Sequence, residues 1–170
     1  MRTRIITVLC LSLVLIVAAT ASAQLKAGSD EDKAFTKIRK ETNQDAQIVL
    51  LNDFAKQFPE SKALPLVYGM LVDIYSDKND HAKIAEYGEK AVKVDPTSVT
   101  PYVQVSRVYA MDHKNLDVAV SYAQKAVDNV EKMKSQPAPS NYTDAEWKDL
   151  LKANEEAAKS QLTYAKAVKQ

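Results

Sequence analysis

The clearest pattern in the sequence is a stripe of apolar residues that marks one face of a helix and is followed by a polar break. The residues of the stripe lie three or four positions apart and so share a helix face: Tyr68, Leu71, Val72 and Tyr75. Residues 76–80 are polar and favour a turn, because such side chains compete for backbone hydrogen bonds. A second helical pattern runs over 84–94 and ends before Pro96, which cannot continue a helix. This segment is predicted to be a hairpin of two helices.

Residues 99–131 repeat the same layout. The tyrosines at 68 and 75 return 34 residues later as Tyr102 and Tyr109, and a polar break again separates two helical patterns. A small residue of the second helix recurs after 35 residues, since Ala91 is followed by Ala126. The chain therefore contains an internal repeat of two predicted helices.

Two strings carry a resemblance to a known family. YGEKAVKVDP, from Tyr87, and YAQKAVDNV, from Tyr122, resemble the second helix of the tetratricopeptide repeat (TPR) family, whose period is also 34 residues. Two positions depart from the family pattern, because Ile84 replaces a small residue and Glu131 replaces the closing proline. Without that proline, the last helix of the second repeat is expected to run to about Lys134.

The resemblance implies an all-α fold, a TPR-like superhelical stack of antiparallel helix hairpins with a C-terminal capping helix. Residues 31–170 are expected to form this domain. Its predicted parts are a divergent N-terminal helix pair (31–64), a first TPR (65–98), a second TPR (99–134) and the C-terminal helix (143–170). The N-terminal pair is included because two repeats rarely bury enough surface to be stable alone.

Caps and prolines predict the helix ends within the N-terminal pair. Ser29 or Asp30 would cap a first short helix, and Asp45 would open a second helix that ends before Pro59. The string FAKQFPES resembles helix ends in TPR-like proteins of bacterial cell envelopes. Five residues form the predicted apolar stripe of the second helix: Ala46, Val49, Leu50, Phe54 and Phe58.

The C-terminal segment is predicted to be one long helix over about 144–168. Thr143 and Glu146 form a capping box at its start. Its expected buried face holds Trp147, Leu150 or Leu151, Asn154, Ala158, Leu162, Ala165 and Val168. An alternative interpretation begins a repeat's second helix at Tyr164, but the turn before it would then lack glycine, asparagine and aspartate.

Residues 1–23 have the pattern of a signal peptide. Arg2 and Arg4 precede a short apolar run, and Ala21-Ser22-Ala23 provides the small residues of a cleavage site. The alternative is an uncleaved membrane anchor, although the run is shorter than the ~20 residues that a spanning helix needs. Cleavage would leave a disordered lead-in over 24–30. It would also give a periplasmic or secreted protein with no membrane insertion.

Charge and cysteine content narrow the possible functions. The formal net charge is +1, and removal of Arg2 and Arg4 would change it to −1. Basic residues are interspersed with acidic ones along the chain, so a nucleic-acid partner is not expected, since phosphate binding needs a clustered basic surface. The only cysteine, Cys10, lies in the apolar run. The mature chain would therefore be stabilised by packing and not by a disulfide.

The sequence lacks the residue combinations of common active sites. Three glycines cannot build a glycine-rich phosphate loop, and a carboxylate pair such as Glu155-Glu156 is typical of an exposed helix. His81 and His113 fall in or beside the repeat turns, next to Asp80 and Asp112. They are interpreted as solvated turn residues, and a shared metal site is the alternative. We therefore expect no enzyme activity, no catalytic residue, no cofactor and no metal.

The repeat tyrosines are interpreted as packing residues, and the positions between them as a partner-binding surface. In the family, first helices line a concave face, and the residues interleaved with the packing positions contact ligands. Carried over by register, the predicted partner-binding residues are Asp73, Asp77, Gln104, Arg107 and Met111. The same register includes Gly69, Val103 and Ala110. Chaperone-binding relatives hold a C-terminal carboxylate with lysine and asparagine, which are absent here. The mixed surface suits an extended peptide or a partner helix.

Two functional hypotheses follow. The first is a non-enzymatic protein-protein interaction scaffold of the bacterial cell envelope, which binds a peptide or a partner subunit in the TPR groove. The second is a structural component that self-associates through the C-terminal helix. An accessory subunit of an envelope complex is a further alternative, and the sequence leaves the oligomeric state open.

Overall fold

The computed structural model describes residues 25–170, and this part of the chain contains seven α-helices and no strand. The helices are α1 (Asp30–Lys40), α2 (Gln44–Gln57), α3 (Leu64–Asp77), α4 (His81–Val94), α5 (Thr100–Met111), α6 (Leu116–Lys134) and α7 (Asp144–Lys169). The fold class is all-α. The predicted signal peptide, residues 1–23, lies outside the described residues.

Polar side chains cap four of the helices by accepting a hydrogen bond from a backbone N–H of the first turn: Ser29, Asn43, Asp80 and Thr143. Such caps satisfy amides that have no partner within the helix. The predicted capping box is confirmed, because Thr143 and Glu146 each bond to the backbone of the other. Asn43 caps α2, so this helix begins one residue before the predicted Asp45.

The turns after α3 and α5 begin with the same backbone geometry. Asn79 and His113, 34 residues apart, both have positive φ, at 53° and 52°. In each turn the N–H of the following residue donates to the carbonyl of a tyrosine five residues earlier, Asp80 to Tyr75 and Lys114 to Tyr109. The repeat that is visible in the sequence is therefore also a repeat of local structure.

Each helix packs against the next one along the chain, and α5 also contacts α3 and α7. Among the described helices, α4 and α6 have no Cα atoms within 8 Å of one another. Because α3 and α5 both pack against α4 and also contact each other, these two helices lie side by side. The predicted partner-binding residues lie on these two helices.

Buried alanines join the helices of the C-terminal half. Ala110, Ala119, Ala123 and Ala165 form one fully buried cluster between α5, α6 and α7. The small residues that recur in the second helix of each repeat, Ala91 and Ala126, are 1% and 0% exposed. Small side chains at these points allow the helix backbones to approach closely.

The repeat tyrosines pack between helices as predicted. Tyr87 on α4 stacks on Tyr75 of α3 with ring centroids 5.5 Å apart. Tyr102 and Tyr122 meet edge to face at 5.2 Å. Their rings therefore contribute to the contact between paired helices and do not form an exposed aromatic platform.

The predicted stripe of α2 was partly wrong. Val49 is 58% exposed, whereas Leu51 is fully buried beside Phe54. The neighbouring helices α1 and α3 cover a face of α2 centred on Leu51 and Phe54, and Val49 lies outside it. Before α1, residues 25–29, which were expected to belong to a disordered lead-in, form a turn in which Leu25 packs against the core.

The C-terminal segment is one helix, so the alternative start at Tyr164 was wrong. Its buried side is formed by Trp147, Asn154, Ala158, Gln161 and Ala165. The predicted Leu162 packs, partly buried, against the alanine cluster, and Gln161, which was not predicted, is buried at the centre of this side. The reason is a hydrogen bond, since the Gln161 amide donates to Oγ of the buried Ser106 at 2.9 Å, and Ser106 in turn donates to the Ala119 carbonyl.

Candidate partner-binding face

Residues on the open sides of α3 and α5 form the candidate surface, here called the α3–α5 face: Gly69, Asp73 and Asp77 on α3, and Gln104, Arg107 and Met111 on α5. Cα atoms of the two helices approach within 8 Å. Leu71 and Val105 on the opposite sides are fully buried. A residue two positions further along a helix lies about 200° around its axis, so Asp73 and Arg107 point away from the core.

Two residues of the predicted surface do not belong to the face. Ala110 is fully buried in the alanine cluster with α6 and α7, and Val103 is half-buried against the cluster that includes Ala158. The sequence register placed both outside the core because it could not show which side of α5 the predicted C-terminal helix covers. This helix covers the side of α5 on which Val103 and Ala110 lie.

Asp73 is an exposed carboxylate that the surrounding helices make difficult to ionise. Desolvation by the protein around it, followed by repulsion from Asp77, raises its pKa from 3.8 to about 6. It has no hydrogen bond or ion pair within residues 25–170. The folded state binds the proton of Asp73 more tightly than the unfolded chain does. Ionisation of Asp73 therefore lowers the stability of the fold as pH rises from 3.8 to about 6, and the loss of stability is complete above the folded-state pKa.

Asp77 sits at the edge of the face and is engaged by α2. Its carboxylate accepts a hydrogen bond from Gln44 Nε2 at 3.0 Å. The next residue, Lys78, pairs with Asp45 at 2.9 Å. These contacts connect the end of α3 to the start of α2, so Asp77 already has a structural role that Asp73 lacks.

The α5 side of the face is cationic and apolar. Arg107 donates a hydrogen bond to Oε1 of Gln104 one turn earlier on the same helix. No carboxylate pairs with Arg107 among the described residues, and nothing links it to Asp73. Met111 is 47% exposed. The face therefore presents an acidic group on α3, and a basic group with an exposed thioether on α5.

The two helical glycines differ in what surrounds them. A Cβ built on Gly88 of α4 would lie 2.3 Å from Cγ2 of Val105, so the close contact between α4 and α5 requires glycine there. A Cβ built on Gly69 would meet nothing within 4 Å. Glycine in the middle of a helix costs roughly 0.5–1 kcal/mol relative to alanine. Gly69 therefore weakens α3, and no contact within the described structure requires it.

The two histidines do not form a metal site. His81 Nδ1 lies 2.6 Å from Oδ1 of Asp112 in the next repeat turn, and this hydrogen bond lowers the pKa of the Asp112 carboxyl. The interpretation of both histidines as solvated is therefore wrong for His81, which connects neighbouring turns. Over residues 25–170 no group of three or more His, Cys, Asp or Glu side chains could hold a metal ion.

A cleft of about 400 Å³ lies away from the α3–α5 face, between the loop after α2 and the end of α4. Glu60, Lys62 and Asp95 are its charged lining residues. Asp95 accepts hydrogen bonds from Thr97 and Ser98, so it organises the loop between α4 and α5. The lining contains no histidine or cysteine, and the cleft does not assemble a nucleophile with a base.

The self-association hypothesis named the C-terminal helix but no residues of it, and the candidate surface is the side of α7 that faces away from α6. Glu155 and Lys169 pair with α6, whereas Ser160 and Tyr164 lie on the other side of the α7 axis. Tyr164 is 42% exposed. The signal was present in the sequence, because Tyr164 is the one large aromatic residue of this helix outside its apolar stripe.

Comparison of the chain with models of protein families, with curated proteins and with solved structures gives no match. The TPR resemblance therefore stays a prediction based on the repeat in this chain. Within residues 25–170, no helix combines the length and the apolar composition that crossing a membrane requires.

Proposed function

We propose that this chain is a non-enzymatic interaction scaffold whose helices form a TPR-like stack and that it binds a peptide or a partner subunit across the α3–α5 face. One observation carries the proposal. Asp73 and Arg107 lie on adjoining helices, and neither has an oppositely charged partner among the described residues. The buried sides of the same helices account for their packing, so folding does not require either charge.

The stability cost of Asp73 supports the same conclusion. A pKa raised to about 6 means that its charge opposes folding at neutral pH. Groups with perturbed pKa values often mark functional sites, because stability is given up there for activity. A partner that supplies the missing opposite charge would remove part of this cost on binding.

The proposal includes export, with cleavage after Ala23, to the periplasm or the cell exterior. The charged start, the apolar run and the Ala21-Ser22-Ala23 pattern support it. Intact mass of the protein recovered from expressing cells tests this step. A membrane fraction that retains Met1–Ala23 would overturn it.

Peptide selection tests the binding function. A random peptide library displayed on phage is selected against purified protein produced from the full chain, and the enriched peptides are titrated by calorimetry. Replacement of Arg107 and Met111 together by alanine should weaken binding about tenfold or more, equivalent to ~1.4 kcal/mol, and leave the thermal midpoint nearly unchanged. Arg107 and Met111 are suited to this role because buried arginine and thioether contacts supply much of the affinity at interfaces.

The matched control removes the same classes of side chain elsewhere. Lys93 and Val94 on α4 are both exposed, and Val94 is 41% exposed. Their double replacement by alanine should leave peptide binding intact. Enriched peptides that bind equally well to both double variants would place the binding site off the α3–α5 face.

Self-association through α7 is the second candidate function, and exposed Tyr164 favours it. Ala157 and Ser160, both exposed, lie beside it at helical spacing, which would allow a second helix to approach closely. Light scattering of the purified protein distinguishes the two candidates. A dimer that becomes a monomer on Tyr164→Glu supports self-association, whereas a monomer at all concentrations contradicts it.

A further inference from the structure

The position of Gly69 indicates how a partner approaches the α3–α5 face. This glycine lies within α3, has no positive φ, and faces open space, because an added Cβ would meet nothing within 4 Å. Neither a turn nor an intramolecular contact therefore explains it. Glycine is also used where another backbone must come unusually close to the chain. No backbone of the described structure approaches Gly69, so one that does would come from outside it.

Asp73 indicates the charge of the group that accompanies this backbone. It follows Gly69 by one helical turn, about 6 Å along the axis, on the same exposed strip of α3. No cation of the described structure pairs with Asp73, since Lys78 pairs with Asp45 and Arg107 donates a hydrogen bond to the neutral Gln104. Its nearest charged neighbour in the same helix is Asp77, which repels it.

We propose that the partner is a segment that carries a lysine or arginine and that its backbone crosses α3 at Gly69 while this basic side chain pairs with Asp73. The inference rests on the proposed function and specifies the chemistry of its partner. The long, flexible stem of a basic residue placed over Gly69 spans the one-turn distance to the carboxylate. Further along the segment, an acidic side chain or a carboxyl terminus would complement Arg107.

The phage selection described above tests the charge requirement directly. Peptides enriched on the wild-type protein should contain lysine or arginine more often than the starting library. Selection on Asp73→Asn should lose that preference, whereas selection on Asp53→Asn should keep it. Asp53 is a suitable control because it is an exposed carboxylate on α2 and its replacement changes net charge equally.

Gly69→Ala tests the close approach of the backbone. Because the added methyl group meets nothing in the free protein, this variant should melt at or above the wild-type midpoint. Its affinity for the enriched peptides should nevertheless fall about tenfold, and Gly69→Leu should lower it further. A purely structural role for Gly69 would not combine higher stability with weaker binding.

The outcomes separate this inference from the function on which it rests. Peptides that lose binding on replacement of Arg107 and Met111, but show no basic preference and tolerate Gly69→Ala, would overturn the inference and leave the scaffold function intact. A basic preference that persists on Asp73→Asn would also overturn it. If no enriched peptide responds to replacement of Arg107 and Met111, the scaffold function itself fails on this face.

Discussion

The two helical glycines, Gly69 and Gly88, should respond in opposite directions to replacement by alanine: Gly88→Ala should destabilise the protein and Gly69→Ala should stabilise it. In Gly88→Ala, the new Cβ would lie 2.3 Å from Val105 Cγ2, whereas carbon atoms in contact prefer about 3.5–4 Å. Val105 is fully buried and β-branched, so its side chain cannot rotate away easily. Overpacking of this kind costs about 1–3 kcal/mol, and the better helix propensity of alanine offsets about 0.5–1 kcal/mol.

The net expectation for Gly88→Ala is destabilisation by about 1 kcal/mol, which lowers the thermal midpoint by about 3 °C in a domain of this size. Gly69→Ala gains the helix propensity without a clash, so its midpoint should rise by about 2 °C. Thermal melts followed by far-ultraviolet circular dichroism, checked by urea titration, measure both changes.

Because the two substitutions are chemically identical, the unfolded-state effect of removing a glycine is nearly the same in both variants. The difference between them therefore reports the local packing. Equal and positive shifts would show that α4 and α5 do not approach as closely as Val105 and Gly88 indicate. Equal and negative shifts would show that the space above Gly69 is occupied, and would also remove the basis for a close approach of the partner there.

Three further predictions concern charge, close contacts and buried polar groups. Asp73→Asn should stabilise the protein at pH 7.5 but not at pH 3.5, because ionised Asp73 opposes folding only above its usual pKa. A pKa raised from 3.8 to about 6 corresponds to about 3 kcal/mol, and solvent screening of this exposed group reduces the expected gain to about 1 kcal/mol; an equal gain at both pH values in urea titrations would contradict the assignment. Ala91→Leu should lower the thermal midpoint clearly, since Ala91 is 1% exposed and overpacking costs about 1–3 kcal/mol, whereas Lys93→Leu on the exposed side should not. Equal shifts would show that the helix register is wrong. Gln161→Ala should cost about 1–3 kcal/mol, because it removes the hydrogen bond to Ser106 and leaves a cavity, and Ser106→Ala in that background should add little; fully additive losses in a double-mutant cycle would mean that the two side chains do not interact.

Local features of the sequence were sufficient to predict most helices and several of their ends. Helical periodicity, prolines and capping residues act over a few neighbouring positions, so they can be interpreted without knowing the fold. The single long α7 and the end of α6 at Lys134 followed from such signals. Burial of the repeat alanines followed from comparing two copies of one hairpin.

The sequence could not show which side of each helix another helix covers. Val49 and Leu51 both fit an apolar stripe on α2, and only the positions of α1 and α3 decide that Leu51 is buried. The sequence register placed Ala110 in the partner surface, but α7 covers this residue in the structure. Contacts between residues far apart in the chain, such as Ser106 with Gln161, have no local signature.

For the residues of the α3–α5 face, the sequence likewise predicted the helices on which they lie but not their surroundings. The sequence by itself determined that Asp73, Arg107, Gly69 and Gly88 lie on helices, because periodicity and hydrogen bonding within a helix depend only on nearby residues. Only the tertiary structure decided that Asp73 is left without a counter-charge and that Gly88 is required by Val105 whereas Gly69 faces open space. The physical reason is that desolvation, charge pairing and close packing depend on atoms brought together by other helices.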